Sequence, residues 1–304
     1  MDESAAPLTP RITALVTVLN QKDELRRCLK ALEASANRET LEILVVDRGS
    51  HDGSAELDSE FPAATFLRMP RNFGRTKAWN IGVRTAAGEL LLLLSPLAEV
   101  QPGTIARLAA RLESDDSAAA VSPRITTPAG ESATRSYPLP TTSLLYQAWK
   151  NGIEIPTLAL PEAEGMLAWT PFEALMVRKY FVRGINFFDQ RYGDSLADAE
   201  LSFQIRRAGK KIVYLPEVPV VLHQRPQIVA PPAVRAIISA DFLSGVATFA
   251  AKRSGFFAGI AYRLRAAGAC LGAALTFRDA GYNLKLFFAV ISGQKVDGFQ
   301  SVAL

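Results

Sequence analysis

The first clear pattern in the chain is ITALVTVL at residues 12–19, which has no polar alternation. A run of this kind fits a strand covered on both faces, as in a parallel sheet. Asn20 follows as the expected helix N-cap, with Asp23 three residues on. Leu25, Cys28, Leu29 and Leu32 then recur at i, i+3, i+4 and i+7, which predicts an amphipathic helix. Residues 41–46 predict a second buried strand ending at Asp47, and the polar turn RGSHDGS opens a short helix. A third strand is expected over 65–69, and a helix over roughly 76–87 with Ala78, Ile81 and Val83 on one face. A fourth strand is expected over 90–94, and a helix from 102 to about 113 that buries Ile105, Leu108 and Leu112. Such alternation of strand and helix argues for an open parallel sheet with helices on both faces. Ligands in these sheets sit at the carboxyl ends of the strands, which directs attention to Asn20, Asp47, Arg71 and Ser95.

Periodicity fades over about 125–170, where Pro, Thr and Ser predict irregular loops and short elements. Order returns with a strand at 174–177. A helix starts near Asp198, carries Leu201 and Ile205 and stops at Gly209, a residue suited to the position after a helix end. Residues 211–215 predict another strand, continued by 218–222 towards His223. From about 233, short apolar stretches alternate with Lys252, Arg253, Arg263, Arg265, Arg278 and Lys285, against the acids Asp241, Asp279 and Asp297. Two or three amphipathic basic helices follow from that pattern. They suit an anionic membrane surface, or a cap packed on the main domain or on a second subunit.

Composition narrows the class. Nearly half of the 304 residues are apolar and about a fifth charged, as in a globular protein. The net charge of +4 gives no concentrated basic face for nucleic acid. Cys28 and Cys270 form neither a zinc spacing nor a disulfide framework, which favours a reducing compartment. The first residues, MDESAAPLTPRIT, do not read as a secretory signal, and no uncharged apolar run reaches the about 18 residues of a membrane span. A cytoplasmic protein, or one peripheral at the inner face of a membrane, is expected.

Four segments in order, VTVLNQKDELRRCLKAL, EILVVDRGSHDGSAE, RNFGRTKAWNIGVRTAAGELLLL and FFDQRYGDSLADAELSFQIRRAGKKIVYLP, give a chain that resembles the inverting, rhamnosyltransferase-like family 2 glycosyltransferases. The similarity covers roughly residues 11–223. It implies the GT-A fold, an α/β architecture with a mostly parallel, Rossmann-like sheet flanked by helices, here with a C-terminal amphipathic helical extension. The implied organisation is a flexible terminus at 1–10, a GT-A unit at 11–230 and a helical basic segment at 231–304. Within the GT-A unit, the nucleotide-binding half spans about 11–115 and the acceptor half about 116–230.

The resemblance also implies roles. Asp47 matches the acid that contacts the nucleotide base or ribose, a task suited to a carboxylate at a sheet's carboxyl edge. Thr17, Leu19 and Asn20 fall at the end of the first strand of that nucleotide site. Asp52 reads as a turn and helix start, with a weaker case for nucleotide contact. Arg71, Asn72, Gly74, Lys77 and Asn80 match the segment near nucleotide and sugar, in which Arg75 also lies. The family places Asp-x-Asp after the fourth strand to hold a divalent Mg2+ or Mn2+ against the diphosphate. Ser95 and Leu97 stand there instead, with Glu99 two residues further on, so the motif is degenerate and the metal weakened or absent. His223 matches a histidine near the metal or diphosphate, and Arg225 beside it supplies positive charge. Asp198 matches the general base that takes the acceptor's proton. Its alternative reading is helix N-terminal capping, as for Glu200.

The implied reaction moves a sugar from a nucleotide-sugar donor to a carbohydrate or lipid-linked acceptor in envelope or polysaccharide synthesis. The rival is a pseudoenzyme that keeps the fold and nucleoside pocket as a scaffolding partner. A dinucleotide-dependent oxidoreductase is disfavoured, because the turn LNQKDE lacks the glycines of a pyrophosphate-binding turn.

Overall fold

Every residue of β1 (Ile12–Val18) is buried, as a strand covered on both faces requires. In this computed structural model the described residues are 10–36, 38–224, 230–277, 279–294, 296 and 298. β1 pairs in parallel with β2 (Leu41–Asp47) on one side and β4 (Leu90–Leu94) on the other, and β2 pairs in parallel with β3 (Ala64–Arg68). The crossovers are α1 (Lys22–Glu33), a 3-10 turn at Ala55–Ser59 and α2 (Arg75–Thr85). Past β4 come β5 (Ala98–Val100), α3 (Thr104–Glu113) and β6 (Ala118–Thr126). They are followed by α4 (Thr142–Lys150), β7 (Gly165–Leu167), β8 (Ala174–Arg178), α5 (Lys179–Gly184), α6 (Ala197–Arg207) and β9 (Lys211–Leu222). The sheet runs β3-β2-β1-β4-β8-β6-β9-β5, with β7 on β9. β8 is antiparallel to both β4 and β6, so the all-parallel nucleotide half gives way to a mixed half at β8.

The twofold periodicity of the strands divides the core. Val16 and Leu92 pack with Leu29 of α1 and Leu108 of α3 on one face. Leu15 and Leu91 pack with Trp79 of α2 and Leu201 of α6 on the other. Gly82 lets α2 lie flat on the sheet, since a Cβ there would come within 2.2 Å of Leu15.

Three long helices follow: α7 (Pro232–Ser254), α8 (Phe256–Leu275) and α9 (Ala280–Ser292). α7 is long and apolar enough to cross a membrane, but most of it is buried. Its residues Phe242 and Phe249 join Tyr146, Trp169, Tyr192 and Leu196 in a third core, which binds the helical layer to the acceptor half.

Some expectations need correction and others refinement. Asn20 is not the N-cap of α1. Gln21 holds that position, while Asn20 turns left-handed at φ 51° and ties itself to the loop after β2. The short helix after that loop is a 3-10 turn. Among the short elements expected over about 125–170 is α4, whose N-cap Thr141 accepts a hydrogen bond from Leu144 N at 3.1 Å. The expected strands at 211–215 and 218–222 are one strand, whose register with β6 shifts between them.

Candidate functional site

The carboxyl ends of β1 and β2 are laced together. Asp47, only 2% exposed, accepts hydrogen bonds from Gly49 N at 3.2 Å, Ser50 N at 3.1 Å and the Ser50 hydroxyl. Asn20 N donates to Ser50 Oγ at 2.9 Å, and Asn20 Oδ1 accepts from His51 N at 2.8 Å. Asp52 accepts from Lys22 N at 2.9 Å and from Ser54, and those bonds hold its carboxyl below the usual range although burial opposes them. Both acids therefore shape the turn at this edge, as the turn-forming reading of Asp52 anticipates. Thr17 and Leu19 are buried beneath this edge. Gly49, at φ 84°, backs on Arg71, whose Cα would lie 2.7 Å from an added Cβ.

Segment 71–80 is built in the same way. Arg71 and Lys77 flank the Phe73 ring, at 4.7 and 4.1 Å from its centroid. Asn72 Oδ1 accepts from Gly74 N at 2.9 Å, and Gly74 caps α2 at φ 92°. The buried Asn80 amide donates to Phe188 O at 2.6 Å and accepts from Phe188 N at 2.9 Å, and so clamps the loop before α6.

After β4, Ser95 N donates to Glu173 O at 2.9 Å, and Ser95 Oγ accepts from Leu97 N at 3.2 Å. Leu97 O accepts from His223 N at 2.9 Å. β5 pairs antiparallel with β9, and this brings Glu99 Oε2 within 2.7 Å of His223 Nε2. Glu99 thus reaches the histidine from a regular strand, with no loop rearrangement. Among the described residues no three of His, Cys, Asp and Glu group as a metal site. One carboxylate already bonded to one imidazole, beside a hydroxyl and a leucine, does not fit a resident hard cation, which takes several oxygen ligands. Arg225 lies outside the described residues.

Opposite this edge, Leu196 adopts a left-handed conformation and starts α6, which places Asp198 in its first turn. Asp198 accepts from Ala199 N at 2.8 Å. Burial raises its proton affinity above the usual carboxylate range, against the pull of that bond, of the Trp169 indole and of the Arg75 charge. Trp169 Nε1 is buried without a hydrogen bond of good geometry, yet lies close enough to stabilise the carboxylate. Arg75 belongs to an ionic cluster. Asp194 accepts from Arg75 N and pairs with Arg48 at 2.7 Å, and both side chains of that pair are buried. Asp241 on α7 accepts from Asp194 N at 3.1 Å and Ser195 Oγ at 3.0 Å. Burial pushes the Asp194 carboxyl up, but the Arg48 and Arg75 charges outweigh it and hold it low. Glu173 pairs with Arg135, and burial still raises its carboxyl. Glu200, by contrast, turns away to Lys252 at 2.9 Å and Arg253 at 2.8 Å.

Comparison with known proteins settles the family. The profile described as Glycosyl transferase family 2 matches residues 13–170, just over half of the chain. This chain belongs to glycosyl transferase family 2. Two curated relatives share shorter stretches with this family 2 chain. The undecaprenyl-phosphate 4-deoxy-4-formamido-L-arabinose transferase of Aeromonas hydrophila is 29% identical over 104 residues, 32% of this chain and 32% of its own length. Glycosyltransferase AglE of Haloferax volcanii is 29% identical over 90 residues, 28% of this chain and 30% of its own. The chain thus spans about a third of the length of the curated relatives it matches. Among solved structures, the Pyrobaculum calidifontis mannosyltransferase PcManGT, in complex with GDP-Man and Mn2+, superposes with a TM-score of 0.53 at 17% identity. That match covers 95% of this chain and 90% of the other. GalNAc-T7 with UDP, GalNAc and Mn2+ gives a TM-score of 0.62 at 16% identity, over 80% and 51% of the two chains. These likenesses establish the α/β GT-A fold.

The sequence reading named Asp198 as a candidate but did not name Arg48, Asp194, Glu173, Trp169 or Asp241 as site residues. The last had a visible signal: Asp241 is a lone acid within the apolar run 236–250. Arg48 and Asp194 had none, since they meet across 146 positions.

Proposed function

We propose that this chain is a glycosyltransferase that moves a sugar from a nucleotide-diphosphate donor to an acceptor hydroxyl, with inversion, in the synthesis of a lipid-linked or envelope glycan. The observation that carries this reading is Asp198. A carboxylate in the first turn of α6, raised in proton affinity and facing Arg75 and Trp169, suits a general base at a partly dry site. In this scheme Asp198 takes the acceptor proton as the hydroxyl attacks the anomeric carbon, and the nucleoside diphosphate departs. Asn20, the 47–52 turn and Arg71 form the nucleoside edge. Ser95 and Leu97 replace the acids of Asp-x-Asp, so cationic side chains meet the diphosphate, and no step is routed through a metal. The names of the relatives, which cite an undecaprenyl-phosphate transferase and mannosyl transfer with GDP-Man, support a nucleotide-sugar donor and a lipid-linked acceptor.

A second reading rests on one observation, Ser95 and Leu97 in place of the two acids of Asp-x-Asp. Under it the chain binds nucleotide without transferring sugar. Release of nucleoside diphosphate from UDP-, GDP- and dTDP-sugars, with a polyprenyl-phosphate-linked glycan as acceptor, separates the two. Acceptor-dependent release that disappears in Asp198→Asn supports transfer. Tight nucleotide binding with no release from any donor supports the scaffold.

A further inference from the structure

Helix α8 is amphipathic in an inverted sense. Its buried stripe is made of small residues, Gly259, Ala266, Ala267 and Cys270. Gly259 sits so near α7 that a Cβ would come within 2.8 Å of Ala247 O. Its outward stripe carries Phe257, Ile260, Leu264, Leu271 and Leu275, at i, i+3, i+7, i+14 and i+18. Phe257 is 82% exposed and Leu264 66%. α9 repeats the arrangement with Leu284, Phe288 and Ile291 facing out, and Phe277 between the helices is 89% exposed. Large apolar side chains are thus displayed along two adjacent helices while small ones pack inward. A soluble globule rarely exposes a contiguous patch of this kind unless something covers it.

Charge identifies the cover. Residues 231–304 hold eight Lys and Arg against three acids, a net +5, whereas the rest of the chain sums to −1. The exposed charges within α8 and α9 are Arg265 and Lys285, and neither helix contains an acid. An apolar stripe whose flanking charges are Arg265 and Lys285, with the nearby acid Asp279 paired to Arg235 at 3.3 Å, fits the boundary between acyl chains and anionic headgroups. A self-associating face would have to set these cations against their own copies. Beyond α9, Val296 and Gly298 lie next to the candidate site: Gly298 N donates to Asn72 O at 2.6 Å, and Asn72 Nδ2 donates to the carbonyl of buried Val296 at 3.5 Å.

We propose that the outward face of α8 and α9 is an interfacial membrane-binding surface for anionic lipid. This inference stands on the surface alone and does not depend on the transferase reading. Co-sedimentation of the full chain with phosphatidylcholine vesicles, with and without phosphatidylglycerol, tests it without donor or acceptor. The expected result is binding that requires phosphatidylglycerol, weakens with salt, and falls roughly tenfold or more in the triple variant Phe257→Ser, Leu264→Ser, Phe288→Ser. The double variant Arg265→Glu, Lys285→Glu leaves the apolar stripe intact and is expected to lose the preference for anionic vesicles. Circular dichroism and thermal unfolding of both variants establish that they are folded. Absence of vesicle binding by the wild type overturns the proposal, as does undiminished binding by the folded triple variant. A wild-type dimer in solution that the triple variant dissociates, without vesicle binding, assigns the face to a second copy and overturns it equally.

Discussion

Asp198 shows how position converts an ordinary side chain into a candidate base. The left-handed turn at Leu196 starts α6, and burial beside Trp169 makes the carboxyl harder to ionise. A base acts when deprotonated, so a raised proton affinity moves the acid limb of turnover upward in pH. Asp198→Asn is expected to lower turnover by roughly 10²- to 10⁴-fold while leaving nucleotide affinity unchanged. The acid limb of the wild-type profile should lie above the ordinary carboxylate range. Steady-state kinetics across pH, paired with calorimetry, checks both. Gly193 is the residue that most constrains the neighbouring loop. At φ 63° its added Cβ would fall 2.1 Å from Asp241 Oδ1, which anchors Asp194 and Ser195. Gly193→Ala is expected to destabilise the fold by roughly 1–3 kcal/mol, measured by urea unfolding. Of these residues, Asp198 was legible in sequence as an acid at a predicted helix start. Its supporting shell was not, because Arg48, Trp169 and Asp241 arrive from distant elements and leave no local periodicity.

At the scale of elements, the nucleotide half follows closely from pattern. Strands β1, β2 and β4 are mostly apolar and mostly buried, β4 without a polar residue, and α1 buries the leucines and cysteine its spacing announces. Legibility fails where the sheet turns mixed. β6 pairs with β9, and α4 buries Leu145, Tyr146, Ala148 and Trp149, a stripe too short to stand out among the surrounding Pro, Thr and Ser. α6 and α7 are joined by Glu200, which burial alone would raise. Hydrogen bonds from Gln204, Lys252, Arg253 and Tyr192 bring it down to about 2. A carboxyl depressed in the folded state stabilises above its unfolded value, 4.5, and that contribution is lost as pH falls towards 2. Glu200→Gln leaves Lys252 and Arg253 without their common acid and is expected to cost about 3 kcal/mol. Urea unfolding at pH 7 and pH 3 should show the difference between variant and wild type narrowing in acid.

For the whole molecule, a GT-A sheet carries the proposed base Asp198 on α6, and Glu99 and His223 pair just beyond Ser95 and Leu97, which stand where the family places acids. The central claim is that this chain still holds a nucleoside diphosphate, with protein cations where a metal would serve. Calorimetric titration with UDP, GDP and dTDP, each in manganese and in chelator, addresses that claim most directly. The account predicts that at least one of the three binds, with an affinity that manganese leaves unchanged. Binding that appears only with manganese, or no binding of any of the three, contradicts it.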